Sequence, residues 1–144
     1  MPDVIDASPG VVPMLSYEEG LQAMEWLASA FGFVERMRML DAEGRLTHGE
    51  MQTDGGGLIM LATPSADYQS PKKHRAACEI MRKAYAVPWV VDGVLVYVDD
   101  IDAHFSRAKA AGATLLSGIE EGGPGRRYRV EDLEGHRWMF MERA

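Results

Sequence analysis

The stretch GRRYRVEDLEGHRWMFME, Gly125 to Glu142, decides how the chain folds. The letters DLEG in its middle have the composition of a turn, because Asp favours turns and Gly tolerates a positive φ. After the turn, Trp138 and Phe140 alternate with Met139, which is the period-two pattern of a half-buried strand. The stretch therefore predicts two strands joined by a tight turn, with an aromatic face in the core and a methionine on the opposite face.

The same order of elements occurs twice in the chain. In each copy an apolar strand precedes a helix that ends in glycine, and three further strands follow. The helix-ending residues Gly32 and Gly112 are 80 positions apart, and Met60 and Met139 are 79 apart. This spacing predicts an α+β fold of two βαβββ modules from a gene duplication, which form a cupped, eight-stranded mixed sheet around a cleft.

We expect one domain over residues 1–144. Its first module covers about 11–63 and its second about 93–142. A linker helix over about 71–86 joins them, because Ser70 followed by a proline is typical of a helix start.

Composition excludes several classes of partner. The net charge of −7 argues against nucleic acid or an anionic membrane surface. No apolar stretch approaches the roughly 20 residues that span a bilayer. The single cysteine, Cys78, cannot form an internal disulfide, which fits a reducing compartment. We therefore expect a cytoplasmic protein.

Three stretches carry a family resemblance: VYVDDIDAHFSRAKAAGA (96–113), HGEMQTDGGGLIML (48–61) and the opening stretch. With them, the chain from about Val11 to Glu142 resembles the vicinal oxygen chelate superfamily, which contains glyoxalase, bleomycin-resistance proteins and extradiol dioxygenases. The resemblance implies the paired-module fold. It does not specify one activity, since a fold hosts many chemistries.

The resemblance also implies where a metal would bind. Metal enzymes of the family take ligands from the first and last strands of each module. Aligning the helix-ending glycines puts Val12, Met60, Gly93 (or Val94) and Met139 at these points. None is a usable ligand for Zn²⁺, Mg²⁺, Mn²⁺ or Fe²⁺, because thioether sulfur is soft and weak toward them. We therefore expect no metal and no cofactor.

We predict that the cleft binds a small molecule. Its polar points are His48, Glu50 and Arg137, and Glu50 with His48 is expected to anchor a donor or cationic group on the ligand. The apolar lining comprises Met14, Leu58, Met60, Leu95, Tyr97 and Met139. An apolar cleft with few polar groups is the usual form of such a site. The favoured function is metal-independent binding of an apolar or aromatic molecule, resembling the bleomycin-resistance branch, with no catalytic residue assigned.

Two alternatives remain open on the sequence. One is a metal-dependent lyase, isomerase or dioxygenase with displaced ligands, and the other is a non-catalytic structural or regulatory module with a vestigial cleft. We expect a homodimer, and the sequence leaves open whether one cleft combines modules of the same chain or of two chains. The histidines His74 and His104 are expected on helix surfaces.

Overall fold

A computed structural model of the protein describes residues 9–89 and 92–143. In these ranges the strands form two separate four-stranded sheets. The first sheet has the order β1-β4-β3-β2 and consists of β1 (Met14–Ser16), β2 (Val34–Leu40), β3 (Leu46–Gln52) and β4 (Leu58–Ala62). The second has the order β5-β8-β7-β6 and consists of β5 (Gly93–Val98), β6 (Thr114–Leu115), β7 (Arg127–Glu131) and β8 (Arg137–Glu142).

Each sheet carries one long helix after its first strand. Helix α1 (Gly20–Phe31) follows β1, and helix α4 (Ile101–Ala110) follows β5. The first strand of each sheet is parallel to its last, and the other strand pairs are antiparallel. The predicted α+β fold of two βαβββ modules is thus confirmed, although the strands of one chain form two sheets instead of one. None of the helices in the described ranges is long and apolar enough to cross a membrane.

The linker differs from the single predicted helix. It consists of helices α2 (Pro71–Ala77) and α3 (Glu79–Ala84), because Cys78 adopts an extended conformation between them. The predicted start is confirmed, since the Ser70 hydroxyl accepts a hydrogen bond from the Lys73 amide.

The two ends of α1 are fixed in different ways. At the C-terminal end Gly32 has φ 75° and donates its amide to Ala28 O, as the sequence predicted for a glycine after a helix. At the N-terminal end the amides of Glu18 and Glu19 donate to the carboxylate of Glu134, at 2.6 and 3.0 Å. Because Glu134 belongs to the second module, this end of α1 also ties the two modules together.

Both sheets pack against one shared core. Phe31 at the end of α1 makes edge-to-face contacts with Trp138 and Phe140 on β8, at ring-centroid distances of 5.7 and 4.7 Å. Trp138 and Phe140 are both 0% exposed, so the strand parity predicted for β8 is confirmed. Residues of opposite parity lie on the face of each sheet that is turned away from this core. We call it the outer face.

Candidate functional site

On the first sheet, the predicted cleft residues form a row across the outer face. Met14 on β1 pairs with Met60 on β4, which pairs with Glu50 on β3, which in turn pairs with Met37 on β2. Met14 is 81% exposed and Met37 43% exposed, although both side chains are apolar. The outer face of the first sheet is therefore a methionine surface with one carboxylate in its row.

Glu50 on this face is not a free carboxylate. His48 Nε2 lies 2.7 Å from Glu50 Oε2, and Arg36 Nε lies 3.6 Å from Glu50 Oε1. The Glu50 side chain is only 13% exposed, so the pairing takes place in partly desolvated surroundings. The predicted neighbourhood of His48 and Glu50 is confirmed, and Arg36 joins it. Arg36 Nη1 is buried without a hydrogen-bond partner in the described part of the chain.

Sequence reasoning missed Arg36 because β2 is irregular. The register between β2 and β3 shifts between Glu35 and Met37, and Arg36 is the residue at the shift. A bulge of this kind cannot be seen in a period-two pattern. The sequence VERMRML of β2 carries two arginines, and nothing in it distinguishes Arg36 from Arg38.

On the second sheet, the equivalent row is Leu95 on β5, Met139 on β8 and Arg129 on β7. Leu95 is 44% exposed, and Tyr97 on the same face is 43% exposed with the Arg143 guanidinium 5.2 Å from its ring centre. Arg129 is buried beside Met139 and donates to Glu120 Oε2 at 2.6 Å. This face therefore carries aromatic and cationic groups where the first carries methionines.

Arg137, a predicted polar point of the cleft, has another role in the chain. Its side chain is buried and donates to Tyr85 O, Val87 O and Trp89 O at 2.6–2.7 Å, and to Glu131 at 3.0 Å. It thereby fastens residues 85–89, which we call the strap, to the second sheet. The guanidinium has little capacity left for a ligand.

The predicted lining residues do not share one cavity within a single chain. Met14, His48 and Met60 line a cavity of about 150 Å³. Leu58, Leu95 and Tyr97 line another of about 280 Å³ that lies between β5 and the turn at 53–57. Both are smaller than the ~300–1,000 Å³ that is usual for drug-sized ligands. Within one chain, these predicted lining residues are therefore divided between two small cavities.

A larger cavity, of about 620 Å³, lies elsewhere, where the linker meets the start of α1. Its charged groups bind one another: Lys73 Nζ lies 2.7 Å from Glu18 Oε1, and Glu134 accepts the α1 amides described above. The Lys73 ammonium and the Ser70 hydrogen bonds lower the pKa of Glu18 to about 2. We interpret this cavity as a junction between modules and linker, because Glu18, Lys73 and Glu134 in its lining bind groups of the chain itself.

The residues at the implied metal positions do not fit a metal. Strand pairing puts Met14 beside Met60 and Leu95 beside Met139. The predicted Val12 was therefore wrong by two residues, and the predicted Gly93 or Val94 by two or one. The corrected set contains thioethers and an alkyl group, which are poor ligands for hard divalent ions. In the described ranges, no group of three or more His, Cys, Asp or Glu could hold a metal ion.

The prediction for His104 was also wrong. His104 is 8% exposed, with Nδ1 2.6 Å from Tyr128 Oη and Nε2 3.1 Å from Phe31 O. Burial is the main cause that lowers its pKa to about 4. His104 therefore belongs to the contact between modules and not to a surface. His136, at 2.7 Å from Ser16 O, serves a similar contact.

Solved structures with the same fold cover nearly the whole chain. TioX from Micromonospora sp. ML1 is 31% identical, covers 94% of this chain and 97% of its own, and has a TM-score of 0.67. TnmS3, an antibiotic binding protein from Streptomyces sp. CB03234, is 16% identical, covers 96% and 99%, and has a TM-score of 0.59. The fosfomycin resistance protein FosX from Listeria monocytogenes is 12% identical, covers 96% and 95%, and has a TM-score of 0.62. The last two show likeness of fold only.

Curated relatives add sequence support. An uncharacterised protein of Mycobacterium bovis is 27% identical over 137 residues, which cover 94% of this chain and 84% of the relative. An uncharacterised protein of Mycobacterium tuberculosis has the same identity, and the match covers 75% of that protein. The family model described as "Glyoxalase/Bleomycin resistance protein/Dioxygenase superfamily" matches residues 21–140. The chain therefore belongs to the glyoxalase/bleomycin resistance protein/dioxygenase superfamily.

Proposed function

We propose that the protein is a homodimer that binds an apolar or aromatic small molecule without a metal ion. Each of its two clefts is formed by the outer face of the first sheet of one chain and the outer face of the second sheet of the other. A two-fold axis generates both clefts from the same pair of surfaces.

One observation carries this proposal: apolar residues are exposed on both outer faces, while both inner faces already share a core. Met14 is 81% exposed, Met39 52% and Leu95 44%. Contiguous exposed apolar side chains mark a binding surface more often than a solvent surface. Because the inner faces are occupied, a ligand covered on two sides needs its second wall from another chain.

The sizes of the cavities support the same arrangement. A cavity of about 150 Å³ on the first outer face and one of about 280 Å³ beside the second are each too small for a drug-sized ligand. Two apposed faces would enclose a larger volume. Methionine suits the lining, since its unbranched thioether adapts to irregular ligands.

Metal independence is supported by the chemistry of the central row. Met14, Met60, Leu95 and Met139 offer no oxygen or nitrogen ligand. The remaining candidates, His48 and Glu50, bind each other, and Arg36 adds a positive charge that disfavours a cation nearby. Of the fold neighbours, TnmS3 is described as an antibiotic binding protein, so this fold can hold such a molecule.

A mixing experiment tests the cross-chain cleft. Met60→Glu and Met139→Glu each put a charge into both clefts of a homodimer, so we expect each variant to lose binding of 2-naphthamide, an uncharged planar aromatic. When the two variants are unfolded and refolded together, one cleft of each mixed dimer carries both substitutions and the other carries neither. Random pairing then restores about a quarter of the wild-type binding capacity.

The control is each variant refolded alone, which should restore nothing. If the clefts form within one chain, every cleft in a mixed dimer carries one substitution and binding stays absent. Wild-type protein that sediments as a monomer, or that does not bind 2-naphthamide, would overturn the proposal itself.

A further inference from the structure

Trp89 is the last residue of the strap, and Arg137 fixes its backbone although the residue is 56% exposed. Arg137 donates to Tyr85 O at 2.7 Å, to Val87 O at 2.6 Å and to Trp89 O at 2.7 Å. Three charged hydrogen bonds to five consecutive residues are more than a connecting segment needs. The strap therefore fixes the position of an exposed aromatic side chain.

The side chain of Arg137, which binds the strap, is itself fixed by an ion pair with Glu131. Its Nε donates to Glu131 at 3.0 Å, and Glu131 also accepts from Arg75 Nη2 at 3.1 Å. The guanidiniums of Arg137 and Arg75 each lie 5.0 Å from the centre of the Tyr85 ring. Burying an arginine costs free energy unless its N–H donors find acceptors. Here most of the acceptors are backbone carbonyls of the strap, which these hydrogen bonds hold in place.

The indole of Trp89 has a cation next to its ring. The Arg129 guanidinium lies 5.3 Å from the ring centre and also approaches Pro88 O at 3.4 Å. Arg129 pairs with Met139 in the central row of the second outer face. Trp89 therefore lies beside the central row of the second outer face, and 56% of the residue is exposed.

We propose that Trp89 is the aromatic platform of the small-molecule site, and that it takes a planar aromatic group that is uncharged or anionic. This inference rests on the proposed function. A cation near an indole draws on its π-electrons, so the exposed ring stacks better on an electron-rich ring than on a cationic one.

The first outer face favours the same class of ligand. Arg36 Nη1 is buried without an acceptor, and such a donor gains from a side-chain rotation that brings it to a carbonyl or carboxylate oxygen. Glu50 already faces both Arg36 and His48. We therefore infer a preference for acceptor groups beside Glu50, where the sequence analysis expected a cationic group.

Three probes of one shape test the inference: 2-naphthoate, 2-naphthamide and 2-naphthylmethylammonium. We expect wild-type protein to bind the first two with quenching of Trp89 fluorescence, and to bind the ammonium at least about 10-fold more weakly. Trp89→Leu keeps apolar bulk but removes the ring, so naphthoate and naphthamide should bind about 3- to 10-fold more weakly. Ile80→Ala, at another exposed apolar residue of the linker, is the matched control and should leave both affinities unchanged.

The outcomes separate this inference from the proposed function. If the probes bind wild type and Trp89→Leu equally, or if the ammonium binds as well as the naphthoate, the inference is overturned while small-molecule binding stands. If no probe binds wild type, the proposed function falls and the inference falls with it.

Discussion

The two modules share the centre of their outer faces and differ in the charge beside it. Met60 and Met139 occupy equivalent positions, because each lies between the first and third strands of its sheet in the same register. The cross-strand neighbour is Glu50 in the first module and Arg129 in the second. The duplicated backbone has thus kept one pairing scheme while the two central polar positions have acquired opposite charge.

The modules also differ in how their outer faces are covered. The first face is open, with Met14 81% exposed and Met39 52% exposed. The second is partly covered by the strap, which buries Arg129 and Arg137 and presents Trp89. Two unlike faces, one of methionine and one of aromatic and cationic groups, are better suited to each other than to a copy of themselves. The comparison therefore favours clefts that pair a first face with a second face.

The largest effect is expected from substitutions on the inner face, where the two modules share their core. Trp138→Ala should lower the free energy of unfolding by about 3–5 kcal/mol, because Trp138 is 0% exposed and donates Nε1–H to Asp132 at 3.0 Å. Met139→Leu, one residue further and on the outer face, should cost less than about 1.5 kcal/mol. Urea denaturation monitored by circular dichroism measures both.

Met60→Leu is the matched control for Met139→Leu in the other module and should be equally mild. If Met139→Leu unfolds the protein while Trp138→Ala is tolerated, the assignment of inner and outer faces is inverted and the comparison of the modules fails with it.

The features that could be predicted from the sequence are those that depend on local pattern. The alternation around Trp138 and the turn at Gly135 are properties of a few consecutive residues, and both are as expected. The 79-residue spacing of Met60 and Met139 gave their equivalence, because a duplicated module keeps its internal distances.

The features that could not be predicted depend on contacts between distant segments. Arg36 reaches Glu50 through an irregularity in strand pairing that no period-two pattern contains. Arg137 has the parity of an outer-face residue, yet the strap that it binds lies about fifty residues away in the sequence. His104 is buried by residues of distant segments: its ring lies 4.0 Å from that of Phe140, and its nitrogens contact Tyr128 Oη and Phe31 O.

A smaller effect, which depends on pH, is expected from His104, a titratable residue whose equivalent in the first module is a methionine. Counted from the helix-ending glycines, His104 is equivalent to Met24, and both are buried. Burial lowers the pKa of His104 to about 4 in the folded chain, against 6.5 for the ordinary value. Below pH 6.5 the unfolded chain therefore binds the proton and the folded chain does not, so stability falls as the pH decreases from about 7 toward 4. Between pH 7.5 and 5 the loss should be about 2 kcal/mol.

The measurement is the free energy of unfolding as a function of pH for wild type and His104→Gln. The variant should show a flatter dependence between pH 7.5 and 5, whatever its stability at neutral pH. His74→Gln, at an exposed histidine of α2, should keep the wild-type slope. Parallel curves for wild type and His104→Gln would mean that His104 does not titrate differently on folding. The carboxylates contribute mainly at lower pH, and their contributions cancel in the difference.

Divalent metals are expected to leave the stability of the protein unchanged. In this it would differ from the metal-dependent members of the superfamily. The implied ligand positions hold Met14, Met60, Leu95 and Met139, which offer Zn²⁺, Ni²⁺ or Mn²⁺ no oxygen or nitrogen ligand. An ion that bound the folded state at 100 times its dissociation constant would add about 2.7 kcal/mol of stability, which a thermal shift assay detects readily. We therefore expect an unchanged melting temperature on addition of each metal, and less than about 0.1 equivalent in the dialysed protein by elemental analysis. His48→Ala removes the imidazole beside Glu50 and serves as the control. One equivalent of metal that stays bound to wild type and is lost from His48→Ala would establish a displaced metal site and return the protein to the metal-dependent branch.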